Sequence, residues 1–265
     1  MDHKMMTPEQ IADFQNDGVV VVRGALKDWV AEMAQGVAEN MANPSEYASE
    51  NQVSEGRFFD DYCNWTRIPA FENLVRNSPA AALAAQAMQS ETAQFFHDHV
   101  LVKEPGTPKP TPWHQDAPYY FVEGQQTVSL WAPLDPVEQA SLRFVAGSHK
   151  WDKMVRPVSW ADDSDFYKTG DWTPVPDPDA DPDQMRVLEW PMEPGDVVLF
   201  DFRTVHGARG NGSAIRRRAL SLRWVGDDAH YVARPGRTSP PFPGHNMTDR
   251  QRLREDWFPV VFPKT

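Results

Sequence analysis

The chain has 265 residues, 40% of them hydrophobic and 11% aromatic, enough to bury a substantial core in one large domain or two small ones. Lysine and arginine number 26 against 38 acidic residues, and the net charge of −12 excludes nucleic acid and anionic lipid surfaces as expected partners. No apolar run reaches the roughly 18 residues of a membrane-spanning helix, so a membrane is excluded as well. In chain order, Met1-Asp2-His3-Lys4 comes first and lacks the basic and apolar regions of a secretory leader. Thr7-Pro8-Glu9-Gln10 then supplies an N-cap, a proline in the first turn and a capping-box glutamine. These predict a short helix with Ile11 and Phe14 on its apolar side, ended by Gly18. Val19 to Val22 reads as a buried strand. Val30, Met33, Val37 and Met41 recur at helical spacing and predict a helix over about 27–41, stopped by Asn43-Pro44.

Arg57 to Trp65 mixes aromatic and acidic residues without a helical or strand period and is expected to be irregular. It holds the single cysteine, Cys63, which precludes an internal disulfide and fits a reducing, cytoplasmic setting. Ser78-Pro79 opens an alanine-rich helix that runs to about Met88. From Thr92 the texture changes to strands separated by Gly/Pro turns: 95–103, 127–134, 142–145, 187–190, 197–202 and 217–225. Residues 151–184 are rich in Asp and Pro and are expected to form a lid-like surface excursion. The predicted class is α+β, mainly β: one domain with helical support over about 1–91, a barrel or sandwich over about 92–225, and a C-terminal extension over 226–265.

Chemistry concentrates in Trp113-His114-Gln115-Asp116 and, much later, Thr204-Val205-His206-Gly207. On an extended strand the i, i+2 spacing of His114 and Asp116 sends both side chains to one face. With His206 they make two imidazoles and one carboxylate, the facial triad of non-haem Fe(II) oxygenases. Downstream, alternation places Arg217, Ala219, Ser221 and Arg223 on one face of a strand and Arg218, Leu220, Leu222 and Trp224 on the other. The first face suits the inside of a site, where a guanidinium fork grips a carboxylate. Arg223 either does the same or pairs with an internal acid. Alternation over 95–103 likewise turns His97, His99, Leu101 and Lys103 inward, making His99 a candidate support for the metal or a contact of a co-substrate.

An ordered series of short words carries a family resemblance: Leu101-Val102-Lys103-Glu104-Pro105-Gly106, Trp113-His114-Gln115-Asp116, Val128-Ser129-Leu130-Trp131-Ala132-Pro133-Leu134-Asp135, Gly147-Ser148-His149, Pro194-Gly195-Asp196, His206-Gly207, Asn211 and Arg217-Arg218-Ala219-Leu220-Ser221. In this order they resemble the phytanoyl-CoA dioxygenase family of Fe(II)/2-oxoglutarate oxygenases. The resemblance implies a double-stranded β-helix, a jelly-roll or cupin-like barrel, with His114, Asp116 and His206 binding Fe(II). It implies Arg217 on the far carboxylate of 2-oxoglutarate, Gln115 and Trp131 beside that co-substrate, and O₂ as oxidant with release of succinate and CO₂. Ala208 departs from a serine that relatives can carry. The carboxylate at Asp116 argues for hydroxylation, because halogenating relatives have a small residue there.

The substrate is expected to be a small molecule held near Phe59, Asp61, Tyr62, Trp65, Trp113, Tyr119 and Arg223. The aromatics with Asp60 and Asp61 suit an amine or quaternary ammonium, whereas Arg223 suits a carboxylate or phosphonate. A bulky acyl-CoA is disfavoured, because no basic cluster stands out beyond 216–218. Monomer and homodimer both stay open. The competing readings are a catalytically inactive or differently metallated cupin-like binding protein.

Overall fold

The structure, a computed structural model, describes residues 5–51, 56–138, 141–159, 164–180 and 182–263. The reading made for Met1 to Lys4, and the parts of the 151–184 segment at 160–163 and 181, lie outside the described residues. The chain runs α1 (Pro8–Asp17), β1 (Val19–Val22), α2 (Val30–Ala42), β2 (Ser49–Glu50), β3 (Phe58–Tyr62), α3 (Pro69–Asn77), α4 (Ala80–Met88) and β4 (Ala93–Lys103). It continues through β5 (Thr111–His114), β6 (Val122–Glu123), β7 (Thr127–Pro133), β8 (Leu142–Val145) and β9 (Val187–Glu189). It ends with β10 (Val197–Phe200), β11 (His206–Ala208), β12 (Arg217–Val225), β13 (His230–Tyr231) and β14 (Val260–Phe262). Among the described residues no helix is long and apolar enough to cross a membrane.

Eight strands form a large sheet in the order β1-β10-β7-β12-β4-β3-β2, with β14 also paired to β4. A smaller sheet follows the order β5-β11-β8-β9. Strand alternation sorts the core into two. Val100, Val102, Leu220, Leu222 and Trp224 point outward and pack with Met33, Val37, Phe71 and Leu83 of the helices. Phe58, Leu101, Trp131, Phe200 and Ala219 point inward and meet Leu142 and Phe144 of the small sheet. The sheets therefore stack through their inner faces, and no closed barrel occurs among the described residues.

The N-terminal punctuation works as its residues dictate. Thr7 and Gln10 form a reciprocal capping box, and Gly18 ends α1 with φ +75°, a left-handed conformation that glycine adopts without strain. That glycine also lies under the loop before β11: a Cβ there would sit 2.5 Å from Thr204 Oγ1, and the Thr204 hydroxyl donates to Gly18 O at 2.7 Å. One small residue thus ends a helix and anchors the loop that delivers His206.

Three departures from the sequence pattern have physical causes. Arg57 to Trp65 is not irregular; Phe58–Tyr62 is a strand antiparallel to β4, and its adjacent acids and aromatics are distributed over two faces. Phe58, Asp60 and Tyr62 turn inward, whereas Phe59 joins the helix-side core and Asp61 accepts hydrogen bonds from Asn40 Nδ2 and from Ser45 N and Oγ. Trp65 packs edge-on to Phe95 with Arg76 5.3 Å above it, on the outer side. Phe59, Asp61 and Trp65 are therefore structural and do not reach the site. Helix α3 is the second departure, a short element that buries Phe71, Leu74 and Val75. The third is the C-terminal extension, which is integral: β14 pairs with β4, and Ser239 and Pro240 reach the site.

Burial alone would raise the pKa of Asp61, but hydrogen bonds from Ser45, Asn40 and Asn64 hold it below the ordinary 3.8. Its stabilisation is therefore fully present above pH 3.8 and is lost as pH falls through the lowered folded value. Asp61→Ala should cost about 2–3 kcal/mol in urea unfolding at pH 7, because several buried donors lose their acceptor. A cost near zero would contradict this structural role.

Candidate metal centre

Strands β5 and β11 run antiparallel with His114 directly opposite His206, and their ring centroids lie 4.1 Å apart. His114 Nδ1 bonds Pro112 O at 2.8 Å and His206 Nδ1 bonds Thr204 O at 2.9 Å. A carbonyl can only accept, so each Nδ1 carries the proton and each Nε2 presents a lone pair. Asp116 arrives by a route that the i, i+2 spacing did not predict. The chain leaves β5 at His114, and Asp116 adopts helical angles (φ −70°, ψ −41°) at the head of a 3-10 turn over Ala117–Tyr119. The turn, rather than an extended strand, brings its carboxylate back to the histidines.

Asp116 Oδ1 lies 3.7 Å from His114 Nε2 and 3.9 Å from His206 Nε2. All three candidate ligand atoms fall within 4.8 Å of one another, a grouping that could hold one metal ion. Burial and the neighbouring His114 lower the pKa of His206 to about 3, keeping it in the neutral form that ligates metal. Burial pushes the Asp116 carboxyl up, but Arg223 and the two histidines outweigh it and hold the group well below the usual carboxylate range. Its other oxygen, Oδ2, accepts from Ser129 Oγ at 2.6 Å and lies 3.4 Å from Arg223 Nη2. One carboxylate oxygen is thus held by the protein while the other faces the imidazoles. The residues present fit a divalent metal with mixed nitrogen and oxygen preference.

Behind the triad an inner cavity is lined by His99, Thr111, Trp131, Arg217 and Ser221, among others. Arg217 is 3% exposed, and its guanidinium lies 5.8 Å from the Trp131 ring centre. Burial lowers its pKa to about 10, so it stays cationic at neutral pH. Gln115 is not brought to this cavity. Its Nε2 donates to Arg203 O and its Oε1 accepts from Val155 N at 2.7 Å, tying the 151–184 segment to the triad loop.

In front of the triad opens an outer cavity of about 280 Å³, whose walls include Tyr62, Tyr119 and Arg223. Trp113 is not among them; it packs with Val145, Val155 and Val205, with Arg143 5.1 Å from its ring centre. Arg223 serves an internal acid, Asp116, and its Nε also donates to Tyr120 Oη at 3.1 Å. Several wall residues went unassigned in the sequence: Tyr47, His97, Phe166 and Ser239, with Ser129 behind Asp116. Alternation with His99 pointed to His97, and alternation with Trp131 could have pointed to Ser129. Tyr47, Phe166 and Ser239 converge from distant segments and leave no local signal. The 151–184 segment supplies part of the wall, through Val158, Ser159 and Phe166, with Val158 N and O both bonded to Tyr119 Oη.

Comparison with known proteins agrees with this geometry. The model of the phytanoyl-CoA dioxygenase family matches residues 14–219, and the chain belongs to that family. It is 27% identical over 200 residues to a probable alpha-ketoglutarate-dependent hypophosphite dioxygenase of Stutzerimonas stutzeri, covering 74% of this chain and 63% of that one. It is also 27% identical over 139 residues to a methylphosphonate hydroxylase of Gimesia maris, covering 52% and 47%. The chain thus spans less than two thirds of the length of these curated relatives. Among solved structures, the non-haem alpha ketoglutarate dependent carbocyclase SnoK from nogalamycin biosynthesis shares the fold, with a TM-score of 0.76 at 22% identity over 97% of this chain and 96% of that one.

Ser129→Ala should lower Fe(II) affinity by about tenfold in anaerobic titration, because the Asp116 carboxylate loses a fixed partner. Unchanged affinity would show that Arg223 alone orients the ligand.

Proposed function

We propose that the chain is a non-haem Fe(II)- and 2-oxoglutarate-dependent dioxygenase that hydroxylates a small organic molecule. One observation carries the reading: the buried His114–Asp116–His206 cluster opens onto an inner cavity whose wall holds the buried cation Arg217. In this reading the two stacked sheets are the walls of a double-stranded β-helix. His114, Asp116 and His206 hold Fe(II) from one side, leaving the remaining positions to other ligands. Arg217 binds the far carboxylate of 2-oxoglutarate through its guanidinium fork, beside the face of Trp131. When bound, the metal and co-substrate supply the oxidising chemistry, in which one oxygen atom of O₂ passes to the substrate and the co-substrate leaves as succinate and CO₂.

The chain's own residues orient and enclose. Ser129 and Arg223 hold Asp116 Oδ2, so that Oδ1 is the ligand atom. Leu101, Leu142 and Phe200 wall the inner cavity with apolar surface and keep water from the reacting centre. His114 and Asp116 also line the outer cavity, so a substrate there lies against the metal ligands. Asp116 fills the place that a halide would need, which supports hydroxyl transfer as the outcome. At about 280 Å³ the outer cavity lies at the small end of ligand sites and does not suit an acyl-CoA. Phosphorus oxyanions, named for two relatives, are not carried over, because the carboxylate of Asp60 faces the cavity.

Purified protein should convert 2-oxoglutarate to succinate only with Fe(II). Arg217→Ala should raise the KM for 2-oxoglutarate by about tenfold or more, the worth of a buried charge-assisted hydrogen bond. Fe(II)-independent succinate release, or an unchanged KM in that variant, would contradict the assignment.

A further inference from the structure

Two carboxylates line the outer cavity, Asp60 and Asp116. Asp116 is compensated by Arg223 and Ser129. Asp60 is different: its partner is the imidazole Nε2 of His99 at 3.3 Å, and among the described residues no lysine or arginine pairs with it. It is mostly buried, its side chain 18% exposed, so solvent screens it weakly. Two residues along the strand, Tyr62 shares its inward face, and Tyr47 stacks on Tyr62 with centroids 5.1 Å apart and planes 13° from parallel. Both tyrosines line the same cavity.

A carboxylate with no lysine or arginine paired to it among the described residues, beside electron-rich ring faces, is complementary to a cation. The carboxylate accepts from an N–H of an ammonium with charge assistance, and ring faces attract the same charge. Both features repel an anion. The guanidinium of Arg223 offsets Asp116, its Nη2 3.4 Å from Oδ2, whereas among the described residues no lysine or arginine offsets Asp60. We infer that the substrate carries a protonated amine, received by Asp60 against the Tyr47–Tyr62 pair. The inference rests on the oxygenase reading in taking the outer cavity as the substrate site. In that site Asp60 is a specificity determinant, and the amine is held on the wall away from the metal so that another part of the molecule meets the triad.

The test is isothermal titration of the purified chain with benzylamine, its neutral isostere benzyl alcohol, and methylphosphonate. Each is titrated into metal-free protein and, under argon, into protein loaded with Fe(II) and 2-oxoglutarate. Benzylamine should bind at least tenfold more tightly than benzyl alcohol, with methylphosphonate weakest. Asp60→Asn should abolish that preference, and Asp60→Glu should retain part of it. Equal affinity for amine and alcohol, stronger binding of methylphosphonate, or no measurable binding of benzylamine would overturn the inference. If Asp60→Asn fails to fold, the three-probe ranking on the unsubstituted chain decides alone. An amine preference in metal-free protein that binds neither Fe(II) nor 2-oxoglutarate would sink the oxygenase reading while leaving the role of Asp60 intact.

Discussion

The cross-strand pairing of His114 with His206 is the constraint on which the rest of this structure depends. Two imidazoles can converge on one ion only if their strands are fixed in register, and a slip of one residue would turn one ring to the opposite face. That register is secured from several sides. Strand β11 lies between β5 and β8, so both of its edges are paired. The loop before it is pinned by Thr204 to Gly18 O, and Ser148 Oγ accepts from Val205 N while donating to Val145 O. Helix α1, the Gly147-Ser148-His149 turn and the His206 loop therefore form one assembly. The helical N-terminal part supports the metal centre as well as covering the sheet.

The same centre requires charge to be buried, which is unfavourable unless every group has a partner. On the inner face of β12 and β7, Arg223 and Ser129 flank Asp116, and Ser221 donates to Leu130 O. A buried ion pair of this kind contributes little net stability. Its value lies in fixing which carboxylate oxygen faces the histidines. The cost is offset on the opposite face, where Leu220, Leu222 and Trp224 of the same strand pack against helices. One strand thus carries a polar face for chemistry and an apolar face for folding, alternating residue by residue.

That alternation explains what could be read from sequence. Val19–Val22, Leu142–Val145 and Arg217–Val225 match their predicted bounds because each is a period-two or fully apolar run between clear breakers. The inward row Arg217, Ala219, Ser221 and Arg223 was legible for the same reason. What failed was local pattern without tertiary context. Phe58–Tyr62 carries two adjacent acids, which looks unlike a strand until one of them, Asp61, is capped by Ser45 and Asn40 on the far side. The turn that delivers Asp116 left no periodic trace, so its place beside the histidines was reached through an incorrect backbone conformation. Gln115 and Trp113 flank the triad in sequence, yet their side chains turn toward the 151–184 segment and the Val145–Val205 cluster. Adjacency along a chain that is turning sharply is a poor guide to adjacency in a site.

The central claim is that these three side chains bind one Fe(II) while Arg217 positions 2-oxoglutarate beside it. The most direct measurement is the visible absorption spectrum of the protein under strict anaerobiosis with Fe(II) and 2-oxoglutarate. The account predicts a metal-to-ligand charge-transfer band that needs both additions and disappears in His206→Ala. Absence of the band in the unsubstituted protein, or its persistence after loss of His206, would contradict it.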